Sequence, residues 1–306
     1  MSIHQLPARP SRRSGFTLVE MLMVVAILSV LAALILPAVQ NSVVSAREAA
    51  VVSEISQLEA AIAAFRNRYG IDPPSRITLY TTESGWNGSG ANAKRSKALI
   101  RRMFGRQVDF AAPSSAYPSN WGAEHTLTGA ECLVFFLGGI LDSTGQQPMG
   151  FCKNPETPFK PASSGEQRDG PFFDFKADRL VKSPRSANSN AFLVYLDPLP
   201  SQEAPYVYVS SNDGQGYNHA DLAVGSSADL ESVYYSTNGT PAVPYKPKSF
   251  QIISPGYDHL YGRGGYFNPK DAQTSLSVDR PSGGLNAQGR AERDNLTNFH
   301  GGRLGR

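Results

Sequence analysis

RRSGFTLVEMLMVVAILSVLAALILPAV, residues 12–39, is a membrane-type helix sequence with one foreign residue. Phe16 to Leu36 is a run of 21 residues whose only charge is Glu20, and Pro37 follows it. At 1.5 Å per residue this run makes a helix of about 31 Å, matching a hydrocarbon core of about 30 Å. A carboxylate near the bilayer centre costs about 2.5–3.5 kcal/mol on insertion scales, and less near an interface. Arg9, Arg12 and Arg13 precede the run with no acid among them, so the positive-inside rule places the short leader in the cytoplasm and the rest outside. A secretory signal peptide shares the basic start, but its apolar stretch is about 7–15 residues and a small-residue cleavage site follows. Here the apolar run is longer and passes straight into a second helical pattern.

That second pattern is Val51, Ile55, Leu58, Ile62, Phe65 and Tyr69, spaced 4, 3, 4, 3 and 4 apart. Such spacing draws one apolar stripe along a helix. Gly70 and Asp72-Pro73-Pro74 then stop it, because proline cannot continue a helix. The expectation is one long helix from Phe16 to about Tyr69, kinked or interrupted at Pro37. Its first half belongs in lipid or among like helices, its second half against a globular domain.

The chain has 306 residues, of which 18% are charged, 41% are hydrophobic, 28 are Gly and 22 are Pro. This composition describes a folded, loop-rich protein. The net charge of +3 resides in the first fifteen residues; beyond them 26 Lys and Arg face 26 Asp and Glu. The densest later cluster, Lys94-Arg95-Ser96-Lys97 with Arg101-Arg102, reads as a solvated helix face, and no nucleic-acid partner is expected. Cys132 and Cys152 form no CxxC pair. Outside the cytoplasm a disulfide between them is one reading; a buried free thiol at Cys132, within the apolar run 131–137, is the other.

Beyond residue 75 the elements are shorter. Ser96 to Phe104 reads as a short helix and Thr128 to Ile140 as a buried one stopped by Gly138-Gly139. Strand-like runs lie at 191–196, 206–209 and 250–254. One long helix followed by strands without βαβ alternation predicts an α+β fold, with an antiparallel sheet covering the helix stripe and large irregular insertions.

Arg13-Ser14-Gly15-Phe16-Thr17-Leu18-Val19-Glu20, with Pro37 beyond, resembles the prepilin-type signal of type IV pilins and type II secretion pseudopilins. The resemblance implies cleavage between Gly15 and Phe16 by a prepilin peptidase, N-methylation of Phe16, and retention of the apolar helix. The domains would be a cleaved leader at 1–15, an assembly helix at 16–36, its amphipathic continuation at 37–74 and a periplasmic α+β domain at 75–306. When subunits stack, the Glu20 carboxylate of one would pair with the new Phe16 amine of a neighbour, offsetting two desolvation costs. A snorkelling acid satisfied by water is the plainer alternative.

Further along, Asp197-Pro198 with Pro205-Tyr206-Val207-Tyr208, then Ser254-Pro255-Gly256-Tyr257-Asp258 and Asp294-Asn295-Leu296-Thr297-Asn298-Phe299, resemble the C-terminal pattern of major pseudopilins. There the resemblance implies a calcium loop, with Asp258 and Asp294 supplying carboxylate oxygens and Asn295 as a weaker ligand, since a hard cation takes several oxygens. The sequence departs from the pattern in a long insert, 259–293, in His259 where glycine is usual, and in Asn295 where a second acid is common. The alternative is that Asp258 ends a turn and Asp294 caps a short element.

No Gly-x-Ser-x-Gly, His-Glu-x-x-His or phosphate loop is present, and the five histidines are scattered, so no enzyme is expected. The implied function is a structural, pseudopilin-like subunit of a type II secretion or type IV pilus-like filament. Its implied partners are copies of itself, other pseudopilins, the peptidase, the bacterial inner membrane and an assembly platform. A membrane-anchored or surface-displayed binding module, with loops at 75–190 and 259–293 carrying recognition, is the alternative.

Overall fold

A computed structural model describes residues 17–161, 166–185, 192–224, 230–271, 276 and 291–305. The chain divides into two compact units, 1–46 and 47–306, which share one helix. That helix, α1, runs unbroken from Leu18 to Tyr69. Pro37 sits inside it and does not interrupt it, which corrects that part of the expectation. Proline removes one backbone donor at its own position, and the turns on either side keep theirs.

In the first unit, α1 is exposed along its apolar length, with Leu18, Leu22, Met23 and Leu34 each more than 60% accessible. In the second unit the expected stripe is the buried face: Val51, Ile55, Leu58, Ile62, Phe65 and Tyr69 are all buried. Gly70, with φ +73°, ends the helix in the left-handed region that favours glycine.

The domain laid on this stripe is α+β, as expected. β1 (Ile77–Tyr80) pairs antiparallel with β2 (Glu124–Leu127), and between them lie α2 (Glu83–Trp86) and α3 (Ala91–Phe104). α3 begins five residues ahead of the expected helix. Its N-cap is Gly90, which offers no capping side chain and therefore no start signal. α4 (Gly129–Gly138) follows, opened by a capping box between Thr128 and Glu131 and wholly buried. Gly129 packs so closely on β7 (Val207–Ser210) that a Cβ there would lie 1.9 Å from the Tyr208 carbonyl oxygen.

Two small antiparallel pairs come next, β3 (Phe151–Cys152) with β4 (Arg168–Asp169), and β5 (Leu180–Lys182) with β6 (Leu193–Tyr195). The main sheet has four antiparallel strands in the order β12-β11-β9-β7, where β9 is Phe250–Ser254, β11 Leu296–Thr297 and β12 His300–Arg303. β8 (Tyr234–Tyr235) and β10 (Gly265–Tyr266) form a short parallel pair. Tyr206, Tyr208, Ile252 and Leu296 join the α1 stripe, α4 and the Phe135, Phe151 and Phe159 rings in one core. A second cluster, with Val207, Val209, Ile253, Tyr234, Tyr261 and Phe267, fills the opposite face of the sheet. The alternation of β7 and β9 residues between the two clusters is the period-two signature of a sheet buried on both faces.

Candidate assembly segment and cation site

At the head of α1, Thr17 and Glu20 form a closed pair. The Thr17 amide and hydroxyl both donate to Glu20 Oε2, at 2.8 and 2.9 Å, and the Glu20 amide donates to Thr17 Oγ1 at 3.2 Å. This is a capping box, Thr at N-cap and Glu at N3, and it satisfies backbone donors that the first helical turn leaves without partners. The signal stands in the sequence as Thr17-Leu18-Val19-Glu20, and it gives Glu20 a partner within its own chain, beside the intersubunit pair and the snorkelling acid that the sequence suggests. A carboxylate held this way is already hydrogen-bonded inside its own chain, so it enters an apolar setting at lower cost than a bare one. Gly15 and Phe16, the expected cleavage and methylation positions, lie outside the described residues.

The second cluster is built by the turn after β9 and the residues before β11. Asp294 Oδ2 accepts from the Tyr257 amide at 2.6 Å and from the Asp258 amide at 3.1 Å. Asp258 Oδ1 accepts from the Leu260 amide at 2.9 Å. Fold closure thus brings Asp258 and Asp294 side by side across the long insert. Gly256 makes the approach possible: its φ is +73°, and a Cβ there would lie 2.5 Å from the Asp294 carbonyl oxygen. Burial, reinforced by the Asp294 charge, pushes the Asp258 carboxyl up to about 6. Burial also raises Asp294, against the pull of the amides that bond it.

Asp294 Oδ1 and Asn295 Oδ1 are buried without a hydrogen-bond partner. The Asn295 amide nitrogen is committed to Tyr234 Oη at 3.0 Å and the Tyr261 carbonyl at 2.8 Å, which holds this side chain in the core. The donor set is oxygen throughout and includes orphaned acceptors, which suits a hard cation in kind. It offers two carboxylates; among the described residues no group of three or more His, Cys, Asp or Glu is placed to share a metal. Asp258 and Asp294 also do what the plainer reading asked, each receiving backbone amides.

Cys132 in α4 and Cys152 in β3 are both buried free thiols, the second of the two readings. Burial raises Cys132 well above the ordinary thiol value, which keeps it protonated and unreactive.

Glu54 lies between Val51 and Ile55 of the stripe, and spacing alone gives it no role. It is 8% exposed, and its carboxylate is bound by Arg179, Tyr195 and Tyr206. No spacing in the sequence announces these partners, which lie more than 120 residues away.

Residues 10–36 match the prokaryotic N-terminal methylation motif. No curated protein and no solved structure matches the chain. The N-terminus of this chain therefore carries a type IV pilin-like signal, followed by one helix long and apolar enough to cross a membrane.

Proposed function

We propose that the chain is a structural, non-enzymatic pseudopilin-like subunit. A prepilin peptidase removes residues 1–15, and the mature chain polymerises through α1 into a periplasmic filament of a type II secretion or type IV pilus-like system. The observation that carries this reading is the pairing of the methylation motif with the apolar, exposed first part of α1, residues 18–36, whose one acid stands at its head. Such a surface is covered by lipid before assembly and by like helices after it. The Thr17–Glu20 box adds a role for Thr17. It holds the carboxylate on Thr17, the residue next to the amine that cleavage creates at Phe16, ready to exchange an internal partner for a neighbour's.

Mass spectrometry of the mature protein is expected to find methylated Phe16 at its start; an intact leader, or cleavage beyond the apolar run, would falsify the processing scheme. Glu20→Ala is expected to leave processing intact and to reduce incorporation into filaments by about tenfold or more. Cross-linking of membrane fractions measures this, and unchanged incorporation defeats the charge-pair account.

We also propose that Asp258 and Asp294, with the Asn295 oxygen as a weaker ligand, hold calcium, which would supply the positive charge this cluster lacks. Without the cation, the raised Asp258 pKa keeps its protonated form favoured in the folded state up to about pH 6. The Asp258 contribution to stability is then full below about pH 4. It is lost as pH rises through about 6. Wild type is therefore expected to lose stability relative to Asp258→Asn between these limits in chelator. Millimolar calcium is expected to remove that loss and to raise the unfolding temperature, because a ligand bound only by the native state stabilises it. Identical melting with calcium and with chelator removes calcium from the account.

A further inference from the structure

Asp72 differs from Asp197, Glu131, Glu292 and Asp221 in accepting no hydrogen bond from the described residues. Asp197 accepts from the Leu199 amide, Gln202 and Ser254. Glu131 accepts from the Thr128 amide and Ser183, Glu292 from the Arg263 and Gly264 amides, and Asp221 from Ser75. The Asp72 side chain is only 5% exposed, yet among the described residues its one partner is the Arg66 guanidinium, 3.7 Å away and itself 59% exposed. A carboxylate has two oxygens, each able to accept, so Asp72 keeps acceptor capacity for a partner from outside the chain.

Asp72 lines a cleft of about 260 Å³ whose opposite wall is α3. Arg95 and Arg102, two helical turns apart, face into it with Leu99 between them, and Asp213 stands at its rim. Arg95 donates to Asn212 Oδ1 at 2.9 Å and Arg102 to Asp213 Oδ2 at 3.0 Å. These tethers fix each guanidinium in place. A guanidinium has five N–H donors, so both keep several for a ligand. The cleft thus presents an under-bonded carboxylate on one side, two anchored guanidinium groups on the other and a short apolar strip between.

We propose that this cleft binds a small amphoteric ligand, a free α-amino acid or a short peptide, with its ammonium on Asp72 and its carboxylate on Arg95 or Arg102. A bare metal cation would meet two guanidinium groups, and a bare anion two carboxylates. A molecule carrying both charges meets a partner at each end. The size agrees, since pockets for drug-sized ligands span about 300–1,000 Å³ and this one lies just below.

The test is thermal unfolding of the full chain in detergent against a panel of the twenty free amino acids and their glycyl dipeptides, each at about 10 mM. At least one compound is expected to raise the midpoint by about 2–4 °C. Its N-acetyl derivative and its decarboxylated amine are expected to have no effect. Asp72→Asn should melt close to wild type, since the carboxylate accepts no hydrogen bond within the chain and its one ion pair is to an exposed arginine, and should erase the ligand-induced shift; a structural carboxylate would instead lower the midpoint. Arg95→Gln, on an exposed helix position, gives the same ligand readout should Asp72→Asn fold poorly. A response to amino acids alone identifies a free amino acid as the ligand, and a larger response to dipeptides identifies a peptide end. The proposal is overturned if no compound shifts the midpoint, if the shift survives both substitutions, or if calcium chloride alone gives an Asp72-dependent shift.

Discussion

Arg179→Met is expected to lower the unfolding free energy by about 3–5 kcal/mol, the range for breaking a buried ion pair by removing one partner. Arg179 Nη1 donates to Glu54 Oε2 at 2.8 Å and to the Leu196 carbonyl at 3.1 Å, while Nη2 bonds Glu54 Oε1 and the Tyr195 hydroxyl. The guanidinium also lies 4.5 Å from the centre of the Tyr195 ring. Both side chains of the pair are only about a tenth exposed, at 11% and 10%. Without Arg179, Glu54 keeps two phenol donors, Tyr195 at 3.1 Å and Tyr206 at 2.9 Å, but no positive charge. Equilibrium urea unfolding of the full chain in detergent, followed by the fluorescence of Trp86 and Trp121, measures the loss. Adding Glu54→Gln to Arg179→Met should recover more than half of it, because the amide is neutral and still accepts from the phenols. A loss below about 1 kcal/mol would place the pair with solvent-exposed salt bridges and defeat the burial argument.

Phe65→Ala is expected to cost about 3–5 kcal/mol through the cavity it opens. Phe65 is fully buried at the crossing of α1 with the aromatic core, with ring centroids 4.7 Å from Tyr69, 5.5 Å from Phe172 and 5.8 Å from Phe136. Those neighbours come from α4 and from a loop as well as from α1, so the site cannot close by a shift of one element. The same unfolding measurement gives the total. Amide exchange along residues 58–69 gives the local part, which should rise because tertiary packing, more than helix propensity, holds this half of α1. Unchanged exchange there, with a midpoint close to wild type, would mean that the helix stands without its stripe.

The stripe was legible because it is local. Residues 4 and 3 apart fall on one helix face whatever lies opposite, and all six positions from Val51 to Tyr69 are buried. The stop at Gly70 was legible for the same reason. α4 showed itself through its apolar run and the Gly138-Gly139 stop, both contiguous in the chain. β1 and β2 did not, since Ile77–Tyr80 is a four-residue run whose partner lies more than 40 positions on. The role of Glu54 was not legible for a related reason: spacing assigns a residue to a face, and cannot say whether that face meets water or an arginine from another element.

The sequence by itself determined the pilin-like signal, the long helix with its change from all-round apolar to one-sided, and the α+β class. Each is encoded in contiguous residues, where periodicity, charge and breakers act directly on the local backbone. Tertiary structure alone decided that Asp258 meets Asp294 across the long insert. It also decided that Arg179 neutralises Glu54, and that Asp72 faces Arg95 and Arg102 with no hydrogen bond of its own. These depend on which distant groups arrive at one place and how much water they exclude. In a buried site that sets both the cost of a charge and the use to which it can be put.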